Sequence, residues 1–244
     1  MTRPLLFLDD GGVISDNSKR APQWQHLVGE FFPPILGGRP DRWSEANLAF
    51  TTAIFQPGAW EARLAATPDY WSFQRNYALD WMTMMCELVD IPCPSDAEAL
   101  SLLEKANSWI IPRVRADFPG VVDTIRLLKH QGYTLHTASG EASTELAGYL
   151  GALDVRDCFT RLYGPDLINT LKAGPLFYER LLLDASVLPS EALFVDDSPS
   201  VISWVAQVGA RGVLVDSDGS KEANESIATI RTLAELPAVL DSIG

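Results

Sequence analysis

Paired carboxylates occur twice in this sequence at the end of an apolar run. Asp9-Asp10 follows Leu5-Leu6-Phe7-Leu8 and precedes Gly11-Gly12-Val13, and Asp196-Asp197 follows Ala192-Leu193-Phe194-Val195 and precedes Ser198. Four apolar residues in a row fit a short strand buried on both faces, and in open α/β sheets ligands gather at the carboxyl ends of the strands. Carboxylates placed there can meet a ligand or hold a hard cation. A third strand end is read in Gly132 to Gly140, where an apolar stretch runs into the hydroxyls of Thr137 and Ser139. Lys172, one of only five lysines, stands in Lys172-Ala173-Gly174-Pro175, just before a helical run from Leu176 to Leu183. Taken singly, each feature is equally well a polar turn or a solvated side chain, and Ser198 could simply cap the helix that follows it.

The elements that must position these residues alternate. A helix over Val121–His130 precedes the strand ending at Thr137, and another over Ser143–Leu150 follows it. Cys158–Tyr163 reads as a short strand, Ala192–Val195 as another, then a helix over Val201–Val208, a strand at Gly212–Val215, and a last short strand and helix within 229–242. Such alternation makes βαβ units: an α/β fold with a doubly wound parallel sheet and helices on both faces. Residues 18–116 differ. They show helical spacing with turns at Pro33-Pro34, Gly37-Gly38 and Pro57-Gly58, a long amphipathic run from Tyr70 to Val89, and no alternating strand, which predicts an all-helical insert. Six of the seven tryptophans lie there, and aromatic residues at helical spacing are mostly core. The nearest thing to a flexible loop is 216–224.

An Asp at one strand end, a Thr at a second, a Lys before a helix and Asp-Asp at a third, in that order, resemble the haloacid dehalogenase-like (HAD) hydrolase superfamily. The resemblance covers residues 1–17 and about 117–244, which it makes the Rossmann-like core, with 18–116 as an inserted helical cap of the C1 type hinged near 13–20 and 112–119. It implies that Asp9 is the nucleophile, forming a covalent aspartyl intermediate. Mg²⁺ would be held by Asp9, the main-chain carbonyl of Gly11, and Asp196 and Asp197. Thr137, with the main-chain N–H of Ala138 beside it, would receive phosphoryl oxygens, and Ser139 and Gly140 would add anion contacts. Lys172 would neutralise the transferred group and keep Asp9 ionised.

One position departs from the pattern. Phosphatases of this family usually carry a second Asp two residues after the nucleophile, as general acid and then base, and here that position is Gly11. Loss of a general acid typically costs ~10² to 10⁴ in rate. Either Asp10 substitutes, or a cap residue or water supplies the proton, or the leaving group needs little protonation; Asp10 should point to the opposite side of the chain from Asp9. The resemblance thus implies Mg²⁺-dependent hydrolysis of a small phosphorylated metabolite. The alternatives are carbon–halogen or carbon–phosphorus cleavage, the latter needing a cap lysine for which Lys19 and Lys105 are the candidates, and a catalytically quiet binding protein that keeps the fold.

Composition bounds the rest. A formal net charge of −13 argues against nucleic-acid or anionic-membrane partners, and residues 18–116 carry only −2 of it. Cys86, Cys93 and Cys158 form no C-x-x-C pair, so reduced thiols in a cytoplasmic protein are expected. There is no long apolar stretch to make a signal peptide or membrane span. His26, His130 and His136 have no ligand spacing, and His136, inside a strand, reads as a satisfied interior histidine.

Overall fold

In the computed structural model, which describes residues 3–67, 69–221 and 227–243, Leu5–Leu8 forms the central strand β1, with Leu6, Phe7 and Leu8 wholly buried. The other strands are β2 (Leu135–Ala138), β3 (Phe159–Tyr163), β4 (Ala192–Asp196), β5 (Arg211–Val215) and β6 (Ala228–Ile230). Every pairing is parallel, in the order β3-β2-β1-β4-β5-β6. The chain builds outward from β1 through β2 to β3, then returns to the other flank of β1 for β4. This reversal creates a crevice at the carboxyl ends of the strands beside β1.

The pleat sorts β1 into two cores. Leu6 and Leu8 join the cluster roofed by the Val121–His130 and Ser143–Ala152 helices, through residues such as Ile125, Leu128, Leu146 and Leu150. Phe7 faces the opposite cluster, with Phe177, Tyr178, Leu181 and Leu182 of the Pro175–Ala185 helix and Val201 and Val205 of the Pro199–Gln207 helix. Each such side chain contributes about 1.5–3 kcal/mol by leaving water. Register makes the second cluster specific. Phe7 is paired with His136 and with Phe194, and its ring stacks on both, with centroids 5.0 and 4.7 Å away.

His136 is therefore part of an aromatic layer, but it is not the fully satisfied histidine expected: its buried Nδ1 has no hydrogen-bond partner among the described residues. Burial pushes its pKa below the ordinary 6.5, against a hydrogen bond with the Arg161 backbone that holds it up. A folded-state pKa below the unfolded one means that the unfolded chain binds the extra proton. The stability this neutral ring confers is present above pH 6.5 and is lost as the pH falls from there toward the depressed value. Denaturant unfolding should show His136→Phe, which can keep the stack, losing less stability than wild type on acidification below about pH 6.5. Parallel curves for the two proteins would contradict the buried neutral imidazole.

Element ends shift by a residue or so. The predicted Cys158–Tyr163 strand begins at Phe159, because Arg156–Cys158 is a 3-10 turn. Ser198 precedes the Pro199–Gln207 helix but its side chain makes no cap bond. Within the expected 216–224 loop, Asp216 accepts the Gly219 amide at 2.9 Å, while residues 222–224 lie outside the described residues.

The chain divides into two compact units, residues 1–17 with 115–244 and residues 18–114. The described part of the second unit is built of helices, the longest being Asn17–Phe31, Pro40–Ile54, Tyr70–Val89 and Asp96–Ile110. Pro33-Pro34, expected as a turn, opens a short helix at Pro33–Leu36, since proline at a helix start gives up no bonded N–H. Asp69 caps the Tyr70–Val89 helix by accepting the amides of Trp71 and Ser72 at 3.0 and 3.1 Å. The unit's core is aromatic. Phe32 stacks on Trp43, and both buried indoles spend their N–H inside: Trp43 on the Gly37 carbonyl at 2.8 Å and Trp81 on Asn47 at 3.1 Å. Trp71 is exposed. No described helix is long and apolar enough to cross a membrane.

Candidate active site

β1 and β4 run in register, Leu8 beside Val195, and the Asp9 amide donates to the Val195 carbonyl at 2.9 Å. Asp9, the first residue past β1, and Asp196, the last residue of β4, thus stand side by side at the sheet's carboxyl edge, both buried. Lys172 reaches them from the turn before the Pro175–Ala185 helix. Its Nζ lies 3.0 Å from Asp9 Oδ1 and 2.7 Å from Asp196 Oδ2, with a side chain 10% exposed. The other oxygen of Asp196 accepts the Ser198 amide at 2.8 Å, an Asx turn that opens the Pro199–Gln207 helix and fixes the carboxylate.

Asp197, half-buried, completes the group: among the described residues, Asp9, Asp196 and Asp197 each offer a carboxylate oxygen, and these atoms lie within 4.8 Å of one another. Gly12, at φ +79°, makes this approach possible. A Cβ on it would sit 2.4 Å from the Asp197 carboxylate, so any side chain there would displace Asp197. Lys221, which donates to the Val215 carbonyl at 2.7 Å, stands 3.7 Å from Asp197.

The charges explain one another. Burial is the largest influence on Asp9 and lifts its carboxyl well above the usual range; the Lys172 ammonium opposes this, and the like charges of Asp196 and Glu141 add to it. Burial by itself would lower Lys172, but the facing carboxylates of Asp9 and Asp196 outweigh it and hold the ammonium well above its ordinary value. Burial also raises Asp197, with Lys221 opposing. Three oxygen donors gathered in a buried site, with one ammonium among them, are the ligand chemistry of a hard divalent cation, which would relieve the mutual repulsion. The donor set fits Mg²⁺.

Thr137 and Ala138 end β2, and Leu8 pairs with Thr137, so their loop rises next to Asp9. The Thr137 hydroxyl donates to the Tyr163 carbonyl at 3.1 Å; receiving an anion would require it to turn from that oxygen. The Ser139 hydroxyl is likewise engaged, by Glu141. At Gly11 the position is narrow: a Cβ would lie 3.1 Å from the side-chain nitrogen Nδ2 of Asn17. Asp10 is wholly buried, with Oδ1 accepting the Ser15 hydroxyl at 2.9 Å. Its main-chain oxygen accepts the amides of Val13, Ile14 and Ser15. Asp10 thus shapes the turn after β1.

Sequence reasoning passed over three neighbours of this cluster. Tyr178 stands one helical turn beyond Pro175, with a buried hydroxyl that has no hydrogen-bond partner among the described residues; burial raises its pKa, with Lys172, Asp196 and Asp9 all acting on it. Lys221 and Glu141 are the others, and only their places in strand-end loops could have flagged them.

A family model described as haloacid dehalogenase-like hydrolase matches residues 100–215, a segment holding Thr137, Lys172, Asp196 and Asp197. Phosphoglycolate phosphatase of Salmonella typhimurium is 29% identical over 128 residues, 51% of this chain and 50% of that one. The chain spans about half the length of the curated relatives it matches, 50% and 41% for two phosphoglycolate phosphatases. Among solved structures, a 2-haloacid dehalogenase from Pseudomonas syringae superposes with TM-score 0.65 at 20% identity, covering all of both chains. The HAD-hydrolase YfnB of Bacillus subtilis, bound to magnesium, gives TM-score 0.67 at 15% identity over 99% of this chain and all of that one. At such identities the likeness establishes the fold.

Proposed function

We propose that this chain is a haloacid dehalogenase-like hydrolase, as the match of residues 100–215 to that family's model supports, and that it is a Mg²⁺-dependent phosphatase that acts on a small phosphorylated metabolite. The observation that carries this reading is the convergence of Asp9, Asp196 and Asp197 on one spot, with Lys172 bridging the first two at 3.0 and 2.7 Å. A halide-releasing enzyme of this fold has no cation to hold, and three clustered carboxylates would then repel one another without benefit.

The residues divide the work. Asp9, Asp196 and Asp197, with the main-chain oxygen of Gly11, would hold Mg²⁺, which when bound supplies positive charge against the phosphoryl oxygens and keeps the carboxylates ionised. Asp9 attacks phosphorus through a carboxylate oxygen as the ester P–O bond breaks, forming an aspartyl-phosphate that water then hydrolyses. Lys172 sets the orientation of Asp9 and offers its ammonium to charge developing on the transferred group. The Ala138 N–H and a rotated Thr137 hydroxyl receive phosphoryl oxygens at the end of β2. Gly11 brings no proton-transfer group, so that task falls elsewhere in the site.

A panel of phosphoesters, phosphonates and 2-haloacids, run with Mg²⁺ and with chelator, tests this. Phosphoglycolate, the substrate in the curated relatives' names, is the first to include. Phosphate release that requires the metal and returns when Mg²⁺ is restored is the expected result. Halide release that persists in chelator would replace this reading with the dehalogenase one, the alternative that Gly11 favours.

A further inference from the structure

We propose, on the reading that this chain is a phosphatase, that Glu141 is the general base for the water that hydrolyses the aspartyl-phosphate, filling the role left open at Gly11. The placement begins with register. Leu8 pairs with Thr137, so the loop leaving β2 runs beside the segment that carries Asp9. That loop is pinned rather than free. Ser139, wholly buried, gives its amide to the Tyr163 carbonyl at 3.1 Å. Ser143 gives its amide to Asp166 at 2.8 Å. Between these anchors, the Glu141 main-chain oxygen packs so closely on Gly164 that a Cβ there would lie 2.2 Å from it.

The side chain is aimed as well. The Ser139 hydroxyl donates to Glu141 Oε2, and the Glu141 amide reaches back to Ser139 Oγ at 3.4 Å. Glu141 acts on Asp9 as a like charge, which puts it in electrostatic reach of the nucleophile. Yet among the described residues it is not one of the carboxylates that could share an ion, so a cation held by Asp9, Asp196 and Asp197 would not count it as a ligand. It is half-buried, open to water, whereas Asp10 is wholly buried on Ser15. A carboxylate in electrostatic reach of the nucleophile, outside the ion's ligand set and in reach of solvent, is what the second half-reaction needs.

The step balances simply. The water oxygen bonds to phosphorus as the P–O bond to Asp9 breaks, and the electron pair of that bond returns to the Asp9 carboxylate. One water proton passes to Glu141, inorganic phosphate leaves, and Glu141 later gives the proton to solvent.

Glu141→Gln keeps the shape and the acceptor oxygen for Ser139 but cannot take a proton. With p-nitrophenyl phosphate, whose leaving group needs no acid, rapid mixing should show a burst of one equivalent of nitrophenol in Glu141→Gln, at close to the wild-type rate. Steady-state turnover should then fall by ~10² to 10⁴, and intact-mass analysis of quenched enzyme should find the phosphoryl group retained. Glu141→Asp, with a carboxylate on a shorter arm, should recover part of the turnover. Overturning results are a variant whose burst and steady state fall together, wild-type turnover in Glu141→Gln, or no phosphoenzyme in it. Failure of the phosphatase reading looks different: wild-type enzyme itself would then release no phosphate and form no phosphoenzyme from any phosphoester.

Discussion

Asp9→Asn should remove essentially all turnover, a fall in kcat on the order of 10⁵-fold, as expected when a covalent nucleophile is deleted from a site whose other groups act only through it. The amide keeps the size of the carboxylate and its hydrogen bond through the Asp9 amide to Val195, so the geometry at the end of β1 survives. Fold should survive too. Lys172 retains Asp196 at 2.7 Å, and the substitution removes a charge whose burial is the largest influence on it. The measurement is kcat on the best phosphoester of the panel, alongside a melting curve. An inactive protein with a melting midpoint near wild type is expected. Residual activity above a few per cent would end the assignment of Asp9 as nucleophile.

Lys172→Met is the substitution with the largest expected effect on stability. It leaves Asp9 and Asp196 facing each other in a buried site, each 3.0 Å or less from where the ammonium stood. Removing one partner of a buried charge group typically costs about 3–5 kcal/mol, which for a chain of this length lowers the melting midpoint by about 10 °C. Mg²⁺ should repair much of this. A cation that binds the exposed carboxylates at 100 times its Kd contributes about 2.7 kcal/mol, so the midpoint of Lys172→Met should rise more with Mg²⁺ than that of wild type. Activity should still fall on the order of 10³-fold, because an ion cannot take the place of the ammonium on the transferred group. A variant that melts like wild type without metal would contradict the buried triad.

Residues whose placement depends on neighbours along the chain were readable from the sequence. Leu5–Leu8 is a strand because a short apolar run ahead of Gly11-Gly12 has few other ways to satisfy its backbone and bury its side chains. The Val121–His130 and Tyr70–Val89 helices begin and end where their apolar periodicity does. Local grammar is ambiguous elsewhere: Pro33-Pro34 serves a helix start as well as a turn, and Ser198 sits at a cap position without making a cap bond, its own amide donating to Asp196 instead. His136 was legible as interior, but that its Nδ1 is unpartnered among the described residues depends on what surrounds it in three dimensions.

Within the site, the sequence determined which side chains stand at strand ends and in what order, since that is set by periodicity and by the glycines that turn the chain. Only the tertiary structure decided that Lys172 spans two carboxylates, that the Thr137 hydroxyl is spent on Tyr163, and that Glu141, tethered by Ser139, acts on Asp9 as a like charge. Those facts follow from strand register and loop packing between segments far apart in the chain. Such contacts form only when burial of the sheet's two faces fixes which strand lies next to which, and a one-residue slip would send every one of these side chains to the opposite face.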